Sequence, residues 1–137
     1  MIDIRPYRMD DELEVTQLWK KAFPETPLHN DPIRDIQSKL KIHPGLFLVA
    51  VNDHLLVGTA MAGFDSHRGW VYYLAVDPAY RRKSIGTALM KKAEGLLAQM
   101  SCSKVNLQIW ADNSDLQTFY EKLGYSVEER ISMGKKL

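Results

Sequence analysis

The sequence predicts an α/β fold: a mixed sheet with helices on both faces. Three observations predict it. Apolar residues recur with period two in some segments and with helical spacing in others. These segments run strand, two helices, three strands, helix, strand, helix, strand, which is neither a strict alternation nor an all-antiparallel order. The 137 residues, 45% apolar and 26% charged, are enough for one domain with its own core and no staples. A single domain over residues 1–137 is therefore expected.

Each element has a local reason. Ile2 to Tyr7 alternates apolar and polar residues, as a short strand does. Asp10 or Asp11 can cap a helix carrying Leu13, Leu18, Trp19 and Ala22, with Lys20 and Lys21 at its negative end. Pro24 and Pro27 break the chain. Asp31-Pro32 reads as an N-cap followed by proline at the first helical position, and Ile33, Ile36 and Leu40 share one face of the helix that follows. His43-Pro44-Gly45 stops it. Leu46 to Val51 and Leu55 to Phe64 are strands joined by the turn Asn52-Asp53-His54, a hairpin. The polar stretch Asp65 to Gly69 is a loop, and Trp70 to Val76 is a strand rich in aromatic and branched residues. Ile85, Leu89, Ala93, Leu96, Leu97 and Met100 fit a helix, in which Gly95 costs about 1 kcal/mol relative to alanine. Val105 to Ile109 alternates as a strand. Asp112 or Asn113 caps a helix to about Lys122, and Gly124 ends it. Tyr125 to Val127 opens a final strand, with Ile131 to Leu137 extending or pairing with it.

Charge narrows the function. The formal net charge is +1, so no global field draws the chain to nucleic acid or to an anionic membrane. No apolar run approaches the roughly 18 residues of a membrane span. The segment Met1 to Arg5 lacks the apolar core of a secretory signal, and Cys102 is the only cysteine. A cytoplasmic protein is expected. His29, His43, Cys102 and the carboxylates show no metal spacing, so no metal is expected.

One local cluster stands out from this neutral background. Arg81, Arg82 and Lys83 follow a strand and directly precede Ser84-Ile85-Gly86-Thr87, where a helix begins. A helix start offers unpaired N–H groups and the positive end of the dipole. Small residues let a phosphate approach, and the cations add charge-assisted contacts. The cluster points to a polyphosphate ligand. Neither a Walker loop nor a dinucleotide glycine motif is present.

Arg81-Arg82-Lys83-Ser84-Ile85-Gly86 resembles the [QR]-x-x-G-x-[GA] signature of the GCN5-related N-acetyltransferases (GNAT). The preceding Tyr73 to Tyr80 is similar to the strand and turn that lead into that signature. Asn113, Tyr120 and Gly124-Tyr125 resemble the family's second block, N-x₆-Y-x₃-G-[FY]. The resemblance covers residues 2 to 137. Asp65 to Gly69 and Ser132 to Leu137 resemble a bacterial subgroup, the YpeA-type acetyltransferases. Ser84 departs from the usual glycine, and its presence implies a helical-region backbone there, with a hydroxyl placed to cap the helix or meet a phosphate oxygen.

The resemblance implies a GNAT-like fold whose sheet splays between the strands at about 70–76 and 105–109. It implies acetyl-CoA as donor, with its pyrophosphate on the N–H groups of about Lys83, Ser84, Ile85, Gly86 and Thr87. Arg81, Arg82 and Lys83 would neutralise phosphates. The pantetheine arm would lie along Leu74, Ala75 and Val76, where one N–H would hold the thioester carbonyl. Tyr120 would be the general acid for the leaving thiolate, and Asn113 would cap its helix and touch the coenzyme. Asp65, His67, Asp112 or a water chain would supply the base. Trp70, Tyr72, Tyr73 and Trp110 are read as core or cleft wall, while the 65–69 loop and the helix after Pro32 would shape the acceptor site. The implied activity is acetyl transfer to a primary amine of a small molecule, peptide or protein. The alternative is an acyl-CoA-binding module without transferase activity. Homodimerisation stays open.

Overall fold

The computed structural model describes residues 1–24 and 31–137. The expected chain break at Pro27 and the reading of His29 lie outside the described residues. The chain divides into two compact units, Met1–Leu107 and Gln108–Leu137.

The first unit holds a five-stranded sheet in the order β1 (Ile2–Pro6), β2 (Phe47–Asn52), β3 (Leu55–Phe64), β4 (Gly69–Val76), β5 (Val105–Asn106). The first four strands pair antiparallel, and β5 joins β4 in parallel, so the sheet is mixed as expected. Helices α1 (Glu12–Ala22) and α2 (Pro32–Lys41) lie between β1 and β2 in the chain, and α3 (Ile85–Gln99) connects β4 to β5.

Local chemistry explains the elements. Asp31 caps α2 by accepting the N–H groups of Ile33 at 3.1 Å and Arg34 at 3.3 Å. Asp11 starts α1 differently: its side chain does not cap the helix but accepts the Arg8 N–H and a two-pronged contact from Arg5 at 2.8 and 3.0 Å. The buried face of α1 is Val15, Leu18 and Trp19, and Leu13, expected on that face, is exposed. Ile36 is buried on α2 as expected, whereas Ile33 lies at the edge and Lys39, unexpectedly, is buried.

One face of the sheet packs Tyr7, Phe47, Val49 and Met61 against Val15, Leu18, Trp19 and Ile36. Helix α3 buries Ile85, Leu89, Met90, Ala93 and Leu97. Gly58 lets α3 approach the strands: a Cβ there would lie 3.0 Å from Leu89 Cδ1 and 3.1 Å from the Ala75 carbonyl oxygen.

The second unit contains α4 (Ser114–Lys122). Asn113 caps it by accepting the Leu116 N–H at 3.1 Å. At the other end, Gly124 takes a φ of 98°, and the Gly124 and Tyr125 N–H groups turn back to the Glu121 and Tyr120 carbonyls at 3.0 and 3.1 Å. The expected strands at 125–127 and 131–137 do not form: among the described residues neither segment joins a strand ladder, and a strand exists only through its ladder. The expected strand at 105–109 is likewise only Val105–Asn106, because its ladder reaches only Gly69 and Trp70.

Candidate active site at the open edge of the fourth strand

The site begins with a sheet that comes apart. β4 pairs with β5 at Gly69–Val105 and Trp70–Asn106 and nowhere further. From Val71 to Val76, β4 keeps β3 on one side and has no ladder partner on the other among the described residues. Leu74, Ala75 and Val76 lie on that open edge, as the resemblance implied. An open edge offers backbone donors and acceptors to an extended ligand.

The edge also carries a bulge. Thr59 pairs with Ala75 and Met61 with Tyr72, so Tyr73 and Leu74 together oppose Ala60. Tyr73 takes a φ of 52°, a left-handed conformation that a bulky residue adopts only when its surroundings enforce it. The surroundings are explicit. Trp19 stacks on the Tyr73 ring at 3.9 Å, and Trp19 Nε1 donates to Thr59 Oγ1 at 2.9 Å. Thr59 Oγ1 donates in turn to the Tyr73 carbonyl at 2.9 Å, and the Tyr73 hydroxyl donates to Asp35 Oδ2 at 2.6 Å. Burial first, and the Asp35 contact second, push the Tyr73 phenol well above its ordinary range, so it stays protonated. Sequence reasoning missed Thr59 and Asp35 because nothing in a lone threonine or a solvent-type aspartate announces a long-range partner.

The chain then turns toward α3. Asp77 Oδ1 accepts the Ala79 N–H at 2.9 Å and Oδ2 pairs with Lys21 at 3.3 Å, which anchors the turn. Arg81 reaches back so that its Nε donates to the Val76 carbonyl at 3.4 Å. Arg81, Arg82, Lys83 and Ser84 are all exposed, and the Lys83 ammonium sits 5.5 Å from the Tyr80 ring centre. Arg82 and Ser84 have φ values of 64° and 62°.

This corrects the expectation for Ser84. It is not in the helical region but in the left-handed one, at the N-cap of α3, and its hydroxyl makes no capping bond. The position therefore has the backbone that glycine suits, occupied by serine. The first intrahelical bond runs from the Ala88 N–H to the Ser84 carbonyl at 3.0 Å. Ile85, Gly86 and Thr87 thus present N–H groups ahead of the ladder, with no acidic residue in the first turn. Three exposed cations, a left-handed turn and uncapped N–H groups fit an anionic phosphate.

Tyr120 lies in the second unit, on α4, and is buried. Its ring meets Phe119 at 5.0 Å and Tyr125 at 5.7 Å, both edge to face. Burial pushes its phenol up to about 12, so it holds its proton throughout the neutral range. Asn113 caps the same helix.

Of the base candidates, Asp65 is committed to its own loop. Its Oδ1 accepts the His67 and Arg68 N–H groups at 2.8 and 2.6 Å, and Oδ2 accepts Trp70 Nε1 at 3.2 Å. The Arg68 and His67 backbone bonds hold its carboxyl below the ordinary range, which makes it a weaker base. Trp110 is 73% exposed, so it is not a core residue. Cys102 donates to the Lys104 carbonyl at 3.3 Å. Among the described residues no cluster of three or more His, Cys, Asp or Glu could hold a metal, and no helix is long and apolar enough to cross a membrane.

A sheet opened along one strand is continued by a cation-rich turn into an uncapped helix, an arrangement that fits a phosphorylated ligand beside a free β edge. Comparison with known proteins specifies the class. Residues 13–125 match the model of the acetyltransferase (GNAT) family. An acetyltransferase of Yersinia pestis (strain Pestoides F) is 40% identical over 136 residues, covering 99% of this chain and 96% of that protein. An acetyltransferase of Sodalis glossinidius is 42% identical over 137 residues, with coverage of 99% and 96%. Among solved structures, the aminoglycoside acetyltransferase AAC(6′)-Iy, in complex with a CoA-containing bisubstrate analogue, superposes with a TM-score of 0.83 at 18% identity over 100% of this chain and 99% of that one. An aminoglycoside 6′-N-acetyltransferase of Acinetobacter haemolyticus gives 0.75 at 22% identity, covering 98% and 99%. The chain belongs to the acetyltransferase (GNAT) family, and is an acyltransferase of the GNAT fold.

Proposed function

We propose that residues 1–137 act as one N-acetyltransferase domain, which moves the acetyl group of acetyl-CoA directly to a primary amine of a small molecule, peptide or protein. The observation that carries this reading is the open edge of β4 running into the cation-rich turn at Arg81–Ser84. The pyrophosphate rests on the N–H groups of Lys83, Ser84, Ile85, Gly86 and Thr87. Arg81, Arg82 and Lys83 neutralise it or the 3′-phosphate. The pantetheine arm follows Leu74, Ala75 and Val76 as an added strand. One backbone N–H of that segment takes the thioester oxygen and stabilises its charge as the amine attacks.

In the transfer, the amine nitrogen bonds to the thioester carbon, the carbon–sulfur bond breaks, and the electron pair leaves on sulfur. Tyr120 gives its proton to that thiolate. A phenol held up near 12 is protonated at the start of every cycle. The amine's proton leaves through His67, Asp112 or water, Asp65 being tied into its loop. Asn113 positions the Tyr120 helix and contacts the coenzyme.

A panel of amines, polyamines, amino acids and peptide N-termini with acetyl-CoA tests this, with thiol release and product mass as readouts. Acetylated amine formed in step with free thiol is expected. Tight CoA binding with no amine ever acetylated would make the chain a binding module instead.

A further inference from the structure

Lys39 is a buried cation in the apolar stripe of α2. It is 6% exposed, and its Nζ donates to the Ala62 carbonyl and stands 5.5 Å from the centre of the Tyr72 ring. It makes no ion pair with the described residues. Asp35, one turn earlier on α2, gives its carboxylate to the Tyr73 hydroxyl instead. An ammonium has three protons to donate, and a buried one without a counter-ion is costly unless something supplies the charge.

The residue opposite makes room for that something. A Cβ on Gly63 would lie 3.7 Å from Lys39 Nζ and also 3.7 Å from the Tyr72 hydroxyl. Both donors therefore converge on the same side of Gly63, with no side chain between them, and Tyr72 itself is 42% exposed, so the spot lies near solvent. One negative charge on a small planar group matches one ammonium and one hydroxyl.

We propose that Lys39 and Tyr72, over Gly63, bind the carboxylate of the acceptor, so that the acetylated amine belongs to a molecule that also carries a carboxylate. This rests on the transferase reading above and names the substrate class of the same site. Tyr72 immediately precedes the bulge at Tyr73 and Leu74, on the strand whose far end, Leu74 to Val76, is the segment proposed above to hold the thioester. At about 3.3 Å per residue, Tyr72 stands roughly 7–10 Å along the strand from Leu74 and Ala75. The carboxylate and the reacting amine are therefore separated by several bonds, as in an ω-amino acid or at the side-chain amine of a basic amino acid.

The test is a matched series: γ-aminobutyrate, ε-aminocaproate and lysine, each against its carboxamide, with acetyl-CoA in saturating amount. At least one acid is expected to exceed its amide about 10–100-fold in kcat/KM, the scale of one charge-assisted contact. Lys39→Met, which keeps the volume and removes the charge, should bring that ratio toward one. Gly63→Ala, whose methyl fits at ordinary contact distance, should do the same while leaving the ammonium in place. Amides used as well as acids in all three pairs, or an acid preference that survives Lys39→Met, would overturn the proposal and leave the transferase reading standing. CoA binding with neither acids nor amides acetylated would overturn this proposal, and the transferase reading would fall with it only if the wider amine panel above also gave no product.

Discussion

Replacing Ser84 by glycine should stabilise the protein. Ser84 holds a φ of 62° and a ψ of 20°, where a Cβ crowds the following carbonyl at a cost of about 1–2 kcal/mol. Its hydroxyl caps nothing, so no hydrogen bond disappears with it. Glycine's freedom in the unfolded chain takes back about 0.5–1 kcal/mol. The net gain is about 0.5–1 kcal/mol, or roughly 2–4 °C in Tm for a domain of this size. Thermal unfolding followed by circular dichroism reads it directly. Ser84→Ala, which keeps the Cβ, should stay within about 0.5 kcal/mol of the parent. Calorimetry on the same proteins should show CoA affinity in Ser84→Gly equal to the parent or tighter, because the relaxed turn keeps its N–H groups in place. A lower midpoint in Ser84→Gly would refute the strain argument. Abolished CoA binding would show that the hydroxyl is itself a ligand.

Three further variants probe other parts of the account. The double variant Arg81→Ala, Arg82→Ala should weaken CoA by about 1.5–3 kcal/mol for each charge-assisted phosphate bond it removes, measured by calorimetry; unchanged affinity would remove the phosphate role of the turn. Tyr120→Phe deletes only the hydroxyl, so CoA affinity should hold while kcat and kcat/KM fall together by about 10²–10⁴-fold in steady-state kinetics; full activity would mean that water protonates the thiolate. Lys39→Met should raise stability at pH 7 by about 1–3 kcal/mol in denaturant titrations. Burial pushes the Lys39 ammonium down to about 8, so the unfolded chain binds its proton more tightly than the folded one. The parent's stability should therefore climb as pH rises from about 8 toward 10.5, and the variant's advantage should shrink over the same window; a pH-independent difference would contradict the sign.

The sequence disclosed most of the frame, for reasons that can be named. The hairpin, β4, α2 behind Asp31-Pro32 and α4 behind Asn113 all rest on local signals, namely period, caps and turn residues. The strand expected at 105–109 had alternation behind it and still stops at Asn106, and those expected at 125–127 and 131–137 do not form, because a strand exists only through its partner. The cation-rich turn into α3 was legible because charge, small residues and a helix start coincide within seven residues. The backbone of Ser84 was not, since residue type suggested a helical φ while the turn imposed a left-handed one. The Trp19–Thr59–Tyr73–Asp35 chain spans residues far apart in sequence, so spacing could not reveal it. Lys39 did carry a signal: with Ile36 three residues before it and Leu40 beside it, it stands in the apolar stripe of α2, where a cation is out of place.

The central claim is that acetyl-CoA is seated along the open edge of β4 with its phosphates on the start of α3. Amide chemical-shift mapping during titration of the labelled protein with CoA tests it residue by residue. The account predicts saturable shifts at Lys83, Ser84, Ile85, Gly86 and Thr87, together with shifts along Leu74 to Val76. Saturable binding whose shifts spare both segments would contradict it.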